Sequence, residues 1–203
     1  MIDAKIIADS KNASDCRLTT FVLEFPSWIL AELNTHRMLS RNVASSRAIP
    51  IEKMIDMVIE NPAVPVMYGK NQSGMQSKEE LVGEELQKAK DAWLRARDRA
   101  VESARELSSI GLHKQYVNRT IENFMYVRAI VSGTEFENFF ALRAHPDAQP
   151  EIQALAYKML EEYNKSKPKK LKMGEWHIPF GDKIDYHRVF NLLNKMKPDS
   201  ASG

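Results

Sequence analysis

The run Ser77 to Ser108 constrains this 203-residue chain more than any other stretch. Val82, Leu86, Ala89, Trp93, Ala96 and Ala100 recur there at spacings of four and three, the period of one helix face. Glu84 with Lys88 and Asp91 with Arg95 stand four apart on the outer surface, where opposite charges support a helix. The small-residue stripe of this longest helix is expected to pack closely against another helix, in the same subunit or in a partner, with core packing as the default. Gly111 ends it as a C-cap.

Strand signals stand on both sides of that helix. Lys5 to Asp9 and Arg17 to Phe25 read as strands, the second rich in β-branched and aromatic residues, and Asn12-Ala13-Ser14-Asp15 between them is turn chemistry, so a hairpin or adjacent pair is expected. Pro26-Ser27 opens a short helix to about His36, with Ile29, Leu33 and His36 on one face. Pro50 opens another through Ile59, and Asn61 to Gly74 is a loop. Beyond Gly111, His113 to Asn123 reads as a short helix carrying Lys114, Gln115, Asn118 and Arg119, and Phe124 to Val131 as a strand ending at Ser132-Gly133. Thr134 and Glu137 have the spacing of a capping box. Phe136, Phe139, Phe140 and Arg143 then share one helix face, and an arginine beside buried aromatics needs an anionic partner or must reach water. After His145-Pro146, Asp147 is expected to cap a helix striped by Ile152, Leu155, Ala156, Met159 and Leu160. Lys165 to Lys172 reads as a solvated linker and Trp176 to Asp182 as a structural wrap, with closure over a neighbour's site as its alternative. A last helix is expected from Tyr186 to Met196 and a disordered tail from Lys197 to Gly203. Residues 1–164 are expected to form one domain, with 165–203 as its basic linker and helical extension.

Charge narrows the chemistry. Lys and Arg number 29 against 27 Asp and Glu, so there is no global basic surplus of the kind that coats nucleic acid. Basic chemistry is therefore local: Leu33 to Pro50 contains no acidic residue and holds His36, Arg37, Arg41, Arg47 and the hydroxyls of Ser40, Ser45 and Ser46. Guanidinium forks and hydroxyls suit phosphate oxygens, although a solvated basic loop is the bland alternative, as a satisfied core residue is for His36. The single cysteine, Cys16, forms no intrachain disulfide, and no Cys/His cluster supplies a metal site; the cytoplasm is the expected compartment. Asp3 and Lys5 interrupt any export signal, and no apolar run approaches about 18 residues, so no membrane partner is expected. A nucleophile elbow and a glycine-rich phosphate loop are both missing.

One resemblance adds to this. His36-Arg37, seven residues, Ser45 and then Arg47, together with Asn138, four residues, Arg143 and Ala148-Gln149-Pro150-Glu151-Ile152, resemble the flavin-dependent thymidylate synthase family. Its hallmark reads Arg-His-Arg, seven residues, Ser, with a later Asn, four residues, Arg and Ala-Gln-x-Glu-Ile; the similarity runs from about Arg17 to Leu160. It implies an α/β (α+β) fold, a mixed sheet with flanking helices and a long helical segment, in a homotetramer with FAD bound between subunits. It further implies that a one-carbon unit passes from 5,10-methylenetetrahydrofolate to C5 of dUMP, with reduced flavin supplying the hydride and NADPH reducing the flavin. Such chemistry is carried by cofactors, in keeping with the missing nucleophile. By residue match, His36, Arg37, Asn42 and Asn138 would contact FAD, while Glu32, Ser45, Ser46, Arg47, Lys114, Arg119 and Arg143 would face the nucleotide. Ser45 and Arg143 would stand nearest the chemistry, Arg143 on a pyrimidine oxygen that gains charge. The chain departs from the pattern at Thr35, in place of the hallmark's first arginine, and at Glu32, in place of a glutamine. It departs again at Ser132 and Thr134, where an asparagine and an arginine often touch the flavin, and at Asp147, in place of a histidine. Glu32 motivates an alternative acceptor, UMP or dCMP, methylated or hydroxymethylated. The alternative of another class is a non-catalytic nucleic-acid-binding protein using Arg37, Arg41 and Arg47.

Overall fold

The structure, a computed structural model, describes residues 1–181 together with 185, 187, 188, 191 and 192. Of the helix expected over 186–196, residues 187, 188, 191 and 192 are helical; its other positions and the tail lie outside the described residues. Strands β1 (Asp3–Lys11), β2 (Arg17–Pro26), β3 (Ser40–Val43), β4 (Tyr126–Gly133) and β5 (Lys169–Lys170) form one sheet in the order β3-β4-β2-β1-β5. All neighbours are antiparallel except β1 and β5, so the sheet is mixed. The hairpin expected at the N-terminus is β1 with β2, where Lys11 opposes Arg17. Among the described residues no helix is long and apolar enough to cross a membrane.

Helices α1 (Leu30–Leu33), α2 (Ile51–Glu60), α3 (Gly83–Ser109), α4 (Lys114–Val117), α5 (Glu137–Arg143) and α6 (Pro150–Lys165) complete the fold. The stripes read from periodicity are the core: Ile152, Leu155, Ala156 and Met159 of α6 join Phe21, Leu23 and Phe25 of β2 and Phe136, Phe139 and Phe140 in one buried cluster. Phe136 meets Phe21 edge-on at 5.4 Å between ring centroids. Polar groups close the end of α6. Asp9 accepts hydrogen bonds from Arg17, Thr19 and Ser166, and the Arg17 guanidinium lies 3.6 Å from the Tyr163 ring centre. Burial alone would raise the Asp9 carboxyl; the hydrogen bonds from Arg17, Ser166 and Thr19 outweigh it and hold it below its usual value.

Several expectations are corrected. The first helix ends at Leu33, and His36 follows it in a turn closed by its own N–H on the Leu33 carbonyl. The acid-free run contains an edge strand: Arg41 opposes Val131 and Asn42 opposes Ile130, pairing that polar residues supply without any hydrophobic alternation. α3 starts at Gly83 rather than Ser77, because Lys70 and Leu81 donate their N–H groups to the Glu79 and Tyr68 carbonyls, and Gly83 takes a left-handed turn with φ 59°. No member of its predicted stripe is buried: Leu86, Ala89, Trp93 and Ala100 are half-buried and Val82 and Ala96 exposed, and the buried residues of α3 are Val101 and Ala104, which that stripe did not include. The helix over 113–123 is broken, with 3₁₀ turns at Asn118–Thr120 and Glu122–Phe124 after α4. No capping box forms, since α5 begins after Phe136 without a side-chain cap. α6 begins after Gln149 with Pro150 in its first turn, so Asp147 is not its cap. The lysine linker is partly β5, and beyond it His177 is held between Ser10 (2.7 Å) and Thr20 (2.8 Å) on the sheet.

Candidate active site

Two clefts are lined by the segments that precede and follow β3 in the chain. The first, about 360 Å³, is lined by His36, Arg37, Asn138, Phe139, Leu142 and Arg143 with Thr35, Met38, Leu39, Glu135 and Glu137. Loop 35–39 forms one wall and α5 the other. The two approach closely because Gly133 has no side chain: a Cβ there would stand 2.7 Å from Leu39 Cδ2. Within this wall Arg143 Nε donates to His36 Nε2 at 2.9 Å and Nη1 donates to Glu32, an ion pair whose side chains are 21% and 24% exposed. The arginine that ends the aromatic stripe thus has the anionic partner its surroundings require. Arg143 also closes the last turn of α5, where a cation suits the helix C-terminus.

His36 is buried and packs edge-on against Phe139, 4.9 Å between ring centres. Burial first, then the charges of Arg143 and Arg41, hold its pKa below the ordinary 6.5. The neutral ring accepts at Nε2, which assigns the proton to Nδ1. Arg41 reaches back from β3 to donate to the His36 carbonyl, so both ends of the residue are fixed. Arg37 and Asn138 make no side-chain hydrogen bond or ion pair among the described residues.

The second cleft, about 560 Å³, is lined by Ser45, Ser46, Arg119, Glu122, Asn34, Asn123 and Ser27 over the apolar Trp28, Leu30, Ala31, Val43, Met125 and Val127. Its side chains are positioned by backbone held from a distance. Buried Asn118 donates to the Ser46 carbonyl at 2.7 Å and the Ile49 carbonyl at 3.0 Å, which shapes the turn carrying Ser45 to Ala48. Ser46 then donates to Glu122, and Arg119 pairs with the same carboxylate at 2.8 Å.

The residues singled out in the sequence are therefore divided. His36, Arg37, Asn138 and Arg143 share the first cleft, and Ser45, Ser46 and Arg119 share the second. Arg143 and Ser45, expected to meet at the chemistry, line different clefts of one chain. Glu32 faces Arg143; Lys114 donates to the Ala48 carbonyl at 3.4 Å; Arg47 and Asn42 are exposed beside the second cleft's turn and on β3. Among the departures, Thr35 donates to the Glu32 carbonyl and Ser132 shares a hydrogen bond with Thr20 at 2.7 Å. Sequence reading missed Glu122, whose spacing of three from Arg119 was its one visible signal, and missed Trp28, Asn34 and Asn123 as lining.

Comparison with known proteins bears on the family and the fold. Residues 16–169 match the family described as thymidylate synthase complementing protein. Two solved structures of a UMP/dUMP methylase, PolB from Streptomyces cacaoi, share the fold. With 5-Br UMP bound, the match has 17% identity and a TM-score of 0.63, and covers 81% of this chain and 89% of that one. With 5-Br dUMP bound, the values are 16%, 0.65, 81% and 90%. No curated protein matches the chain.

Proposed function

Because the chain belongs to the thymidylate synthase complementing protein family, matched over residues 16–169, we propose that it is a flavin-dependent methylase acting at C5 of a uridine 5′-monophosphate. The acceptor in this reading is dUMP and the product dTMP. The observation that carries it is the Arg143 guanidinium, fixed by His36 and Glu32 beside Arg37 and Asn138, the residues that the family pattern joins. The first cleft suits FAD: unpaired Arg37 and Asn138 offer donors to an anionic group, beside the exposed acids Glu135 and Glu137 of the same lining, and Met38 and Leu142 offer apolar surface to a flat ring. His36, Arg37, Asn138 and Asn42 would hold it. Its chemistry there is hydride supply, with NADPH as reductant and 5,10-methylenetetrahydrofolate as the one-carbon source.

The protein's own part is positioning and charge. Arg143 uses Nε and Nη1 internally, which leaves Nη2 for a pyrimidine oxygen bearing the enolate charge that makes C5 nucleophilic. A guanidinium already anchored on two sides does not reorganise during the reaction, which is the condition for electrostatic stabilisation to be effective. The Ser45 hydroxyl donates to the nucleotide, and Arg47 and Lys114 flank its phosphate. Glu32 does not repel that phosphate, because Arg143 neutralises it. In a cytoplasmic homotetramer, Arg143 of one protomer would face Ser45 of another, which accounts for their separation within one chain.

A second reading takes UMP as the acceptor. It is favoured by the carboxylate of Glu122 inside the second cleft, and the structural relative is itself a UMP/dUMP methylase. The test of the common claim is direct. Added FAD is expected to be quenched on binding, and NADPH oxidation to accelerate when dUMP or UMP is present. Protein that leaves FAD fluorescence unchanged refutes the flavoenzyme reading.

A further inference from the structure

Among the described residues Glu122 is the one acid lining the second cleft, and its surroundings define what it can bind. Its backbone is fixed by Ser27, which donates to the Glu122 carbonyl. Its side chain is 22% exposed, held by Ser46 at one oxygen and by Arg119 at the other. A carboxylate accepts about four hydrogen bonds, so each oxygen of Glu122 retains acceptor capacity. Arg119 is 62% exposed and lines the same cleft, so it offsets the charge of Glu122 while leaving the carboxylate's remaining lone pairs open to a donor.

Such a group accepts hydroxyls. Of a nucleoside monophosphate, the hydroxyl donors are on the sugar. Two spare acceptor sites, one on each oxygen, match the neighbouring 2′ and 3′ hydroxyls of ribose better than the single hydroxyl of deoxyribose. The phosphate is left to Arg47 and Lys114, outside the lining that Glu122 shares. We propose that Glu122 is a specificity-determining residue that accepts hydrogen bonds from a ribose diol, making the ribonucleotide the preferred acceptor. This rests on the nucleotide reading of the second cleft given above, in its second form, with UMP rather than dUMP as the preferred acceptor.

The experiment measures binding of UMP and dUMP to the FAD-loaded full chain by calorimetry, with methyl transfer to each followed alongside. UMP is expected to bind roughly tenfold tighter than dUMP, the order of a hydrogen bond to a charged acceptor. Glu122→Ala and the shape-preserving Glu122→Gln both bring that ratio toward one. A wild-type ratio at or below one, or a ratio that neither substitution moves, overturns the proposal even when both nucleotides are methylated. Ribose-selective binding without methylation of either nucleotide removes the methylase reading and leaves Glu122 as the sugar-reading residue. Absence of binding by either nucleotide overturns both.

Discussion

Each of the two clefts is lined by an arginine that pairs with a glutamate, and the further partner of each pair makes the two different devices. In the first cleft Arg143 is 21% exposed and its Glu32 partner 24%, and His36 grips the guanidinium from a second side. In the second cleft Arg119 is 62% exposed while Glu122 is 22% exposed and also held by Ser46. The fixed group is the cation in one case and the anion in the other. A fixed group can act on a ligand without first being ordered, so the first cleft presents a positive charge and the second an acceptor. Two ion pairs that look alike in a contact map thus prepare opposite surfaces.

That contrast can be broken by substitution. The largest effect is expected at Arg143→Ala, which leaves Glu32 and His36 without their donor: kcat/KM for the nucleotide should fall roughly a hundredfold or more. Stability should fall by about 1–2 kcal/mol in urea unfolding, as buried His36 and half-buried Glu32 lose their donor. Gly133→Ala comes next. Its Cβ would meet Leu39 Cδ2 at 2.7 Å, and such overpacking costs about 1–3 kcal/mol. Because Leu39 lines the first cleft and not the second, FAD affinity should weaken while UMP binding changes little.

A pH series sharpens the comparison. His36 is held below 6.5, so the unfolded chain binds the proton first; its contribution to stability is complete above pH 6.5 and is lost as pH falls toward the folded value. His177, lowered by burial against an opposing effect of Asp9, acts in the same direction on stability. Turnover should share only the His36 part, since protonation removes the acceptor that holds Arg143. His36→Gln is therefore expected to flatten the acid limb of kcat/KM, while the acid fall in stability persists through His177. The smallest effect is expected at Arg119→Ala, with stability changed by less than about 0.5 kcal/mol, as for exposed pairs generally. A larger loss at Arg119 than at Arg143 would invert the comparison.

Legibility in the sequence followed the range of the forces involved. The stripes of α5 and α6 were readable because a period of 3.6 reports burial directly, and Phe136, Phe139, Ile152 and Leu155 are core. β3 was not readable, because Ser40-Arg41-Asn42-Val43 has no alternation and becomes a strand only by pairing with β4, far along the chain. Similarly, the true start of α3 depends on hydrogen bonds between residues 68–70 and 79–81 rather than on helix propensity. The first cleft was legible as a motif, since His36, Arg37, Asn138 and Arg143 carry the family spacing. Its internal clamp was not, because Glu32 and Arg143 meet across 111 positions. Glu122 was hidden for the same reason, its role resting on Ser46, 76 positions away.

The most direct measurement is the mass of the nucleotide after incubation with the protein, FAD, NADPH and 5,10-methylenetetrahydrofolate. UMP or dUMP is expected to gain one methyl group at C5, and Arg143→Ala to suppress the gain. A nucleotide recovered unchanged from protein that binds FAD and nucleotide would contradict the methylase reading.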